Sequence, residues 1–369
     1  MGFERFKNMK NFDLSFYRNK KILITGHTGF KGSWLVQALL TVNAKIIGIS
    51  YDKPIRKLSM IKILKLEKEI IQINFDLSKN EKKLNEILNY HKPQFIFNLA
   101  AQALVKKSIS DPSFTIRNNI LINLNLLEVL RKINFQTTVI FITSDKVYEN
   151  FEFKRGYVED DILGGKDPYS ASKSSSEIII SSYMRSFLLD KKNISIGIAR
   201  AGNVIGGGDW SDDRIIPDYM RSCISKKKVI IRNPNSTRPW QHVLEPIFGY
   251  LYFAYLLNIK NKFNGQAFNF GPNHRNINKT KVINVIKELN NYFPDMRIEI
   301  YKKKDNKESN LLSLNINKAN KFLNWSPKLT FNESIKLTAE WYNAYFIKTN
   351  MSNFTKDQIN NYYNKLKNL

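Results

Sequence analysis

The short apolar run KKILITG (Lys20 to Gly26) passes directly into HTGFKGSWLVQALL, whose apolar residues recur at helical spacing. The junction, Gly26-His27-Thr28-Gly29-Phe30-Lys31-Gly32, carries glycines spaced three and three. Glycines at a strand-to-helix turn let the backbone bend tightly and let a pyrophosphate approach the helix N-terminus. A bare glycine pattern is weak evidence; its place between a strand and a helix makes this one specific. Asp52 ends the next strand, twenty residues past Gly32. The spacing therefore predicts a βαβ unit that binds a dinucleotide, with Asp52 accepting from a ribose hydroxyl. A carboxylate there would repel a 2′-phosphate, which favours NAD over NADP.

The rest of the chain extends that unit. Apolar runs at Ala44–Ser50, Ile71–Asp76, Gln94–Ala100 and Val139–Asp145 alternate with helical stretches, notably Thr115–Ile133. The helix from Tyr169 and the strand Ile194–Gly202 continue the alternation, the signature of an α/β doubly wound parallel (Rossmann-type) sheet. Asp76 closes the third strand within reach of an adenine, next to Leu77. Leu99, Ala100, Ala101 and Gln102 close the fourth, where small residues let a dinucleotide lie close. Past Gly202 the pattern turns to a Gly/Asp loop, mixed strand and loop, and then helices. We expect a dinucleotide-binding domain over 18–202, with returning segments around 243–272. A smaller, mixed substrate domain is expected over 203–347 and a polar tail over 348–369. The apolar run Val243–Ile259 carries Glu245, Pro246 and Gly249 near its start and reads as a buried helix, not a membrane span.

Chemistry concentrates in TSDKVY (Thr143–Tyr148) and YSASK (Tyr169–Lys173). The apolar strand Val139–Ile142 releases its polar residues only at the carboxyl end, where open parallel sheets bind ligands. Asp167-Pro168 predicts a helix start, with Asp as N-cap and Pro at the first position. Tyr169 and Lys173, four apart, then share one helix face. Ser144, Asp145, Lys146, Tyr169 and Lys173 are the catalytic candidates. A Lys ammonium and a nicotinamide cation would favour the phenolate and lower the Tyr169 pKa.

A formal charge of +26 raises nucleic acid or an anionic membrane as a partner. Its lysines are scattered from end to end, with no arginine-rich tract, so neither is expected; a diphosphate-bearing substrate would use the same field. Cys223 is the only cysteine, so no intramolecular disulfide forms and a reducing compartment is the default. The N-terminus lacks an apolar signal core, and the expected location is the cytoplasm. His and acids show no metal-ligand spacing, so no metal is expected.

These motifs carry a resemblance. TGHTGFKGSWL, NLAAQ, TSDKVY, DPYSASK, ARAGNVIGGGDW, IRNP, RPWQHVLEP and NFGP resemble the extended short-chain dehydrogenase/reductases that modify nucleotide sugars (the NAD-dependent epimerase/dehydratase family). They resemble most closely the branch acting on CDP-glucose. The resemblance implies a lyase that uses NAD without net consumption to remove water across C5 and C6 of the sugar. In it, Tyr169 takes the C4 hydroxyl proton, Ser144 bonds the same oxygen, and a protonated Asp145 gives its proton to the leaving C6 hydroxyl. Lys146 takes part at C5, either as a base of lowered pKa or as a cation stabilising the enolate. The glycine turn, Asp52, Asp76, Leu77, Leu99–Gln102, Asn119, Tyr169 and Lys173 would line NAD. Asn203, Arg214, Arg232 and Arg238 would hold the nucleotide diphosphate. An epimerase needs no acid at C6, so Asp145-Lys146 argues for dehydration. A non-catalytic NAD- or nucleic-acid-binding relative would commonly have lost Tyr169 or Lys173. The family pattern further implies a homodimer or dimer of dimers paired through the helices from Thr115 and Tyr169, and a deoxysugar of bacterial O-antigen as the eventual product.

Overall fold

The computed structural model describes residues 9–51, 58–231, 233–273, 281–300 and 311–368. The first half alternates as follows: β1 (Lys21–Thr25), α1 (Phe30–Leu40), β2 (Lys45–Ser50), the single turn α2 (Met60–Ile63), β3 (Ile71–Asn74), α3 (Glu81–His91) and β4 (Phe95–Asn98). It continues with α4 (Val105–Ser110), α5 (Pro112–Lys132), β5 (Thr137–Ile142), α6 (Pro168–Tyr183) and β6 (Ile194–Ala201). Then come β7 (Val204–Ile205), α7 (Ile215–Ser225), β8 (Val229–Ile231), β9 (Gln241–His242), α8 (Leu244–Ile259), β10 (Ala267–Phe270), α9 (Val282–Asn290), β11 (Ile298–Ile300), α10 (Phe331–Phe346) and α11 (Met351–Lys367).

Seven strands form one parallel sheet in the order β10-β6-β5-β4-β1-β2-β3. The chain winds outward from β1 through β2 to β3, then crosses to β4 and winds the other way. The crevice at that reversal, between the carboxyl ends of β1 and β4, is where such sheets take ligands. Apart from the partly exposed edge strand β3, the strands are buried on both faces, and alternate side chains enter opposite cores. Ile22 and Ile24 of β1, with Ile140 and Ile142 of β5, face α1, α8, α10 and α11. Leu23, Val139 and Phe141 face α3, α5 and α6. β10 joins as the edge strand beyond β6, while β8 with β11 and β7 with β9 form two small parallel pairs outside the sheet.

α8 is buried nearly all round, and Tyr17 donates its hydroxyl to the Leu251 carbonyl at 2.6 Å. No helix among the described residues is long and apolar enough to cross a membrane. Within the expected polar tail, 348–369, Met351–Lys367 forms the helix α11. Met351, Thr355, Ile359, Tyr362 and Leu366 make a buried stripe at helical spacing, capped by Asn350. The two ends of the described chain meet there, where the Leu14 N–H donates to the Tyr363 hydroxyl at 2.9 Å.

Candidate active site

Glycine is required at the turn after β1. Gly26 has φ of +70°, and a Cβ there would lie 2.9 Å from the Ala100 nitrogen. A Cβ on Gly32 would lie 2.2 Å from the Gly26 carbonyl oxygen. The turn and the end of β4 are thus pressed together, and Thr25 fixes them: it donates to Asn98 Oδ1 at 2.5 Å and accepts from the Ala100 N–H at 3.1 Å. Gly29 is the N-cap of α1 with no capping side chain, and no acid sits in the first turn. The positive end of α1 is therefore left for an anion, and this cradle fits a dinucleotide pyrophosphate.

The other expected cofactor residues divide. Thr28, Phe30 and Lys31 are half-buried along the turn, and Leu77, Leu99, Ala100 and Ala101 are buried or half-buried at the strand ends. His27 belongs elsewhere. Its ring packs on β2, so close that a Cβ on Gly48 would lie 2.6 Å from it, and Nε2 meets Gln72 at 3.3 Å. Only its backbone serves the turn. Asp76 spends one oxygen on Ser78, accepting from the N–H at 3.0 Å and the hydroxyl at 2.6 Å. Asn119 acts as a clamp: it donates to the Gln102 carbonyl at 3.0 Å and to Ser172 Oγ at 2.9 Å, and accepts from the Gln102 N–H at 2.7 Å. It ties α5 to the β4 loop and to α6. Gln102 is likewise engaged, by Thr115 and the Leu104 carbonyl. Asp52 and Arg232 lie outside the described residues.

The catalytic candidates converge. Asp167 caps α6, accepting from the Ser170 N–H, with Pro168 in the first turn, which sets Tyr169 and Lys173 on the inward face, 8% and 7% exposed. At the end of β5, Ser144 donates to Asp145 Oδ1 at 2.9 Å and also bonds Tyr169. Asp145 is 2% exposed; burial raises its pKa against the pull of Lys146, Ser144, Arg238 and Lys31. Its Oδ2 is buried with no hydrogen-bond partner among the described residues. A carboxyl group in that setting can hold a proton and offer it to a ligand.

Burial pushes the Tyr169 phenol up to about 12, opposed by its hydrogen bond with Ser144, so the lowering expected from the sequence is absent in the protein by itself. Burial also pulls the Lys173 ammonium down to about 8, opposed by the charge of Glu177. Lys31 falls to about 7, through burial first and then through Lys173 and Arg214. Lys31 therefore reaches into the same cleft, which its place in a glycine turn did not indicate. Arg214 is held by Asp209 at 3.1 Å and still acts on Tyr169 and Lys31. Arg238 is 6% exposed and acts on Asp145. Asn203 is half-buried just past β6, its carbonyl accepting from the Gln241 N–H at 3.1 Å. Lys31, Lys146 and Arg238 thus act on one carboxyl group, with Lys173 and Arg214 acting on Lys31, a field suited to diphosphates. No cluster of His, Cys, Asp or Glu among the described residues could hold a metal.

Comparison with known proteins identifies the family. Residues 23–338 match the family described as GDP-mannose 4,6 dehydratase. A CDP-glucose 4,6-dehydratase of Salmonella typhimurium is 36% identical over 354 residues, covering 95% of this chain and 98% of that one. Among solved structures, a UDP-glucose 4-epimerase of Thermotoga maritima, crystallised with UDP-glucose, has a TM-score of 0.75 at 23% identity, over 88% of this chain and 99% of that one. A dTDP-glucose 4,6-dehydratase of Bacillus anthracis in complex with NAD has a TM-score of 0.71 at 22% identity, over 88% and 96%.

Proposed function

The chain belongs to the GDP-mannose 4,6 dehydratase family, and from that premise we propose that it is an NAD-dependent CDP-glucose 4,6-dehydratase. CDP-glucose would become CDP-4-keto-6-deoxyglucose. One observation carries the reaction type: Asp145, buried, with raised pKa and an Oδ2 that has no hydrogen-bond partner among the described residues, stands beside Ser144 and Tyr169. Oxidation at C4 alone needs no such acid; loss of a hydroxyl from C6 does. The CDP preference rests on the relative of 36% identity.

The Gly26–Gly32 turn would hold NAD by its pyrophosphate, and the cofactor would supply a hydride acceptor for C4 and the hydride returned to C6. Tyr169 removes the C4 hydroxyl proton while Ser144 holds the same oxygen. The resulting 4-ketone acidifies the C5 hydrogen; a base takes that proton, Lys146 serving as the base or as a cation stabilising the enolate, and a solvent-derived proton returns to C5 as C6 is reduced. Asp145 delivers its proton to the C6 hydroxyl, which departs as water. Arg214, Arg238, Asn203 and Arg232 hold the diphosphate and sugar, and Lys173 stabilises the phenolate of Tyr169.

We further propose a cytoplasmic homodimer paired through the outer faces of α5 and α6, supplying a deoxysugar precursor for surface polysaccharide. The exposed Phe114, Ile116 and Ile178 on those helices support the pairing. The test of function is to offer CDP-, dTDP-, UDP- and GDP-glucose with NAD in deuterated water. The expected product is a 4-keto-6-deoxy sugar with deuterium at C5, formed fastest from the CDP donor. Folded protein that turns over none of the four would refute the assignment.

A further inference from the structure

Glu177 lies one helical turn beyond Lys173 on the same face of α6, and its carboxylate is fully engaged. Arg200, on β6, donates to it through Nε at 2.9 Å and Nη2 at 2.6 Å. Thr143, at the end of β5, donates its hydroxyl to the same group at 2.5 Å. The Arg200 and Glu177 side chains are only 5% and 1% exposed. Arg200 also donates through Nη1 to the Tyr148 hydroxyl at 2.7 Å and to the Glu159 carbonyl at 2.9 Å. Tyr148 passes its own proton to Asn269 Oδ1 at 2.8 Å, and Asn269 in turn reaches the carbonyls of Tyr157 and Asn315.

The placement is specific. Thr143 and Tyr148 bracket Ser144, Asp145 and Lys146, so the network grips both ends of the segment that presents the acid. Its carboxylate also favours the Lys173 ammonium against burial. We propose that Glu177, locked by Arg200 and Thr143, is a positioning residue: it holds the Ser144–Lys146 segment in register with Tyr169 and keeps Lys173 charged. An ion pair this buried is weak evidence of stabilisation alone. Its placement under the catalytic lysine points to a purpose beyond folding.

The groups that face Lys173 set the sign of the expected effect. Glu177 and Tyr169 lie on its own helix, Lys31 approaches from α1, and Arg200 stands behind Glu177 on β6. Asp145 and Arg214 lie beyond, against Lys31 and Tyr169. α5 contributes the neutral Asn119. Glu177→Gln therefore removes the anion and frees the Arg200 charge, and both changes disfavour the ammonium.

The proposal rests on the dehydratase reading for its assay. The wild type, Glu177→Gln and Glu177→Asp are compared by kcat/KM against pH, with thermal melts to establish folding. In the wild type, activity falls at high pH as Lys173 loses its proton. In Glu177→Gln that limb should move down by about 1 pH unit, with kcat lowered about tenfold and KM little changed. Glu177→Asp, whose carboxylate is one methylene shorter, should fall between. A limb that stays in place in a folded variant overturns the proposal. So does failure of both variants to fold, which would assign the pair to stability alone. If the wild type turns over no donor, the functional reading is what fails. The inference is then tested by NMR titration of lysine-labelled protein, with Lys173 assigned through Lys173→Arg: its midpoint should be lower in Glu177→Gln, and equal midpoints overturn it.

Discussion

At the scale of single residues, the proposed reaction sorts the cleft into groups shared by any oxidation at C4 and groups needed only for elimination. Tyr169 and Lys173 belong to the first set, Asp145 and Lys146 to the second. Tyr169→Phe should abolish turnover at every step while leaving donor binding intact, since one hydroxyl is lost from a buried and well-packed site. Asp145→Asn should leave C4 oxidation in place and slow water loss about 100-fold or more. Quenching the reaction with borodeuteride and analysing the sugars distinguishes the two: Asp145→Asn should accumulate a 4-keto sugar that still carries its C6 hydroxyl. Equal loss of both steps would remove Asp145 from the role of acid. The sequence identified these residues because strand-end polar groups and a capped YxxxK helix are local patterns. Glu177 was equally visible, on the face that Tyr169 and Lys173 define, but its meaning was not. Its partner Arg200 lies 23 residues away on another element, and only the folded sheet brings them together.

At the scale of elements, the alternation of apolar runs and amphipathic stretches was enough to specify the winding of the sheet, because parallel strands buried on both faces are continuously apolar. α11 escaped notice for the converse reason. Its buried residues are interleaved with Asn and Lys, so it reads as polar until the spacing of Met351, Ile359, Tyr362 and Leu366 is set against a helix. α5 and α6 are legible twice over, as sheet-covering helices and as a surface with apolar residues left over. Ile178 is 55% exposed in the middle of α6. Ile178→Asp should therefore convert a dimer to monomers in sedimentation or light scattering, with the melting temperature of the monomer little changed. A protein that is monomeric before the substitution, or dimeric after it, excludes α6 from the interface.

At the scale of the whole molecule, one buried acid joins distant parts of the chain. Glu245, in the first turn of α8, accepts from the N–H groups of Lys328 and Leu329 at 2.7 and 2.6 Å and from the Tyr362 hydroxyl at 2.7 Å. Burial pushes its carboxyl up to about 7. The folded state thus binds a proton that the unfolded chain, near the ordinary value of about 4.5, has released. Stability from this group must fall as pH rises from about 4.5 to about 7, and the full cost persists above that window. Thermal melts of Glu245→Gln across the same range should show a flatter dependence than the wild type; an unchanged slope would exclude Glu245 as its source. The same region carries a consequence for biosynthesis. β1 leaves the ribosome early, yet the core that its Ile22 and Ile24 join also takes residues of α8, α10 and α11. Nascent chains should leave part of that core open to chaperones until α11 has been made.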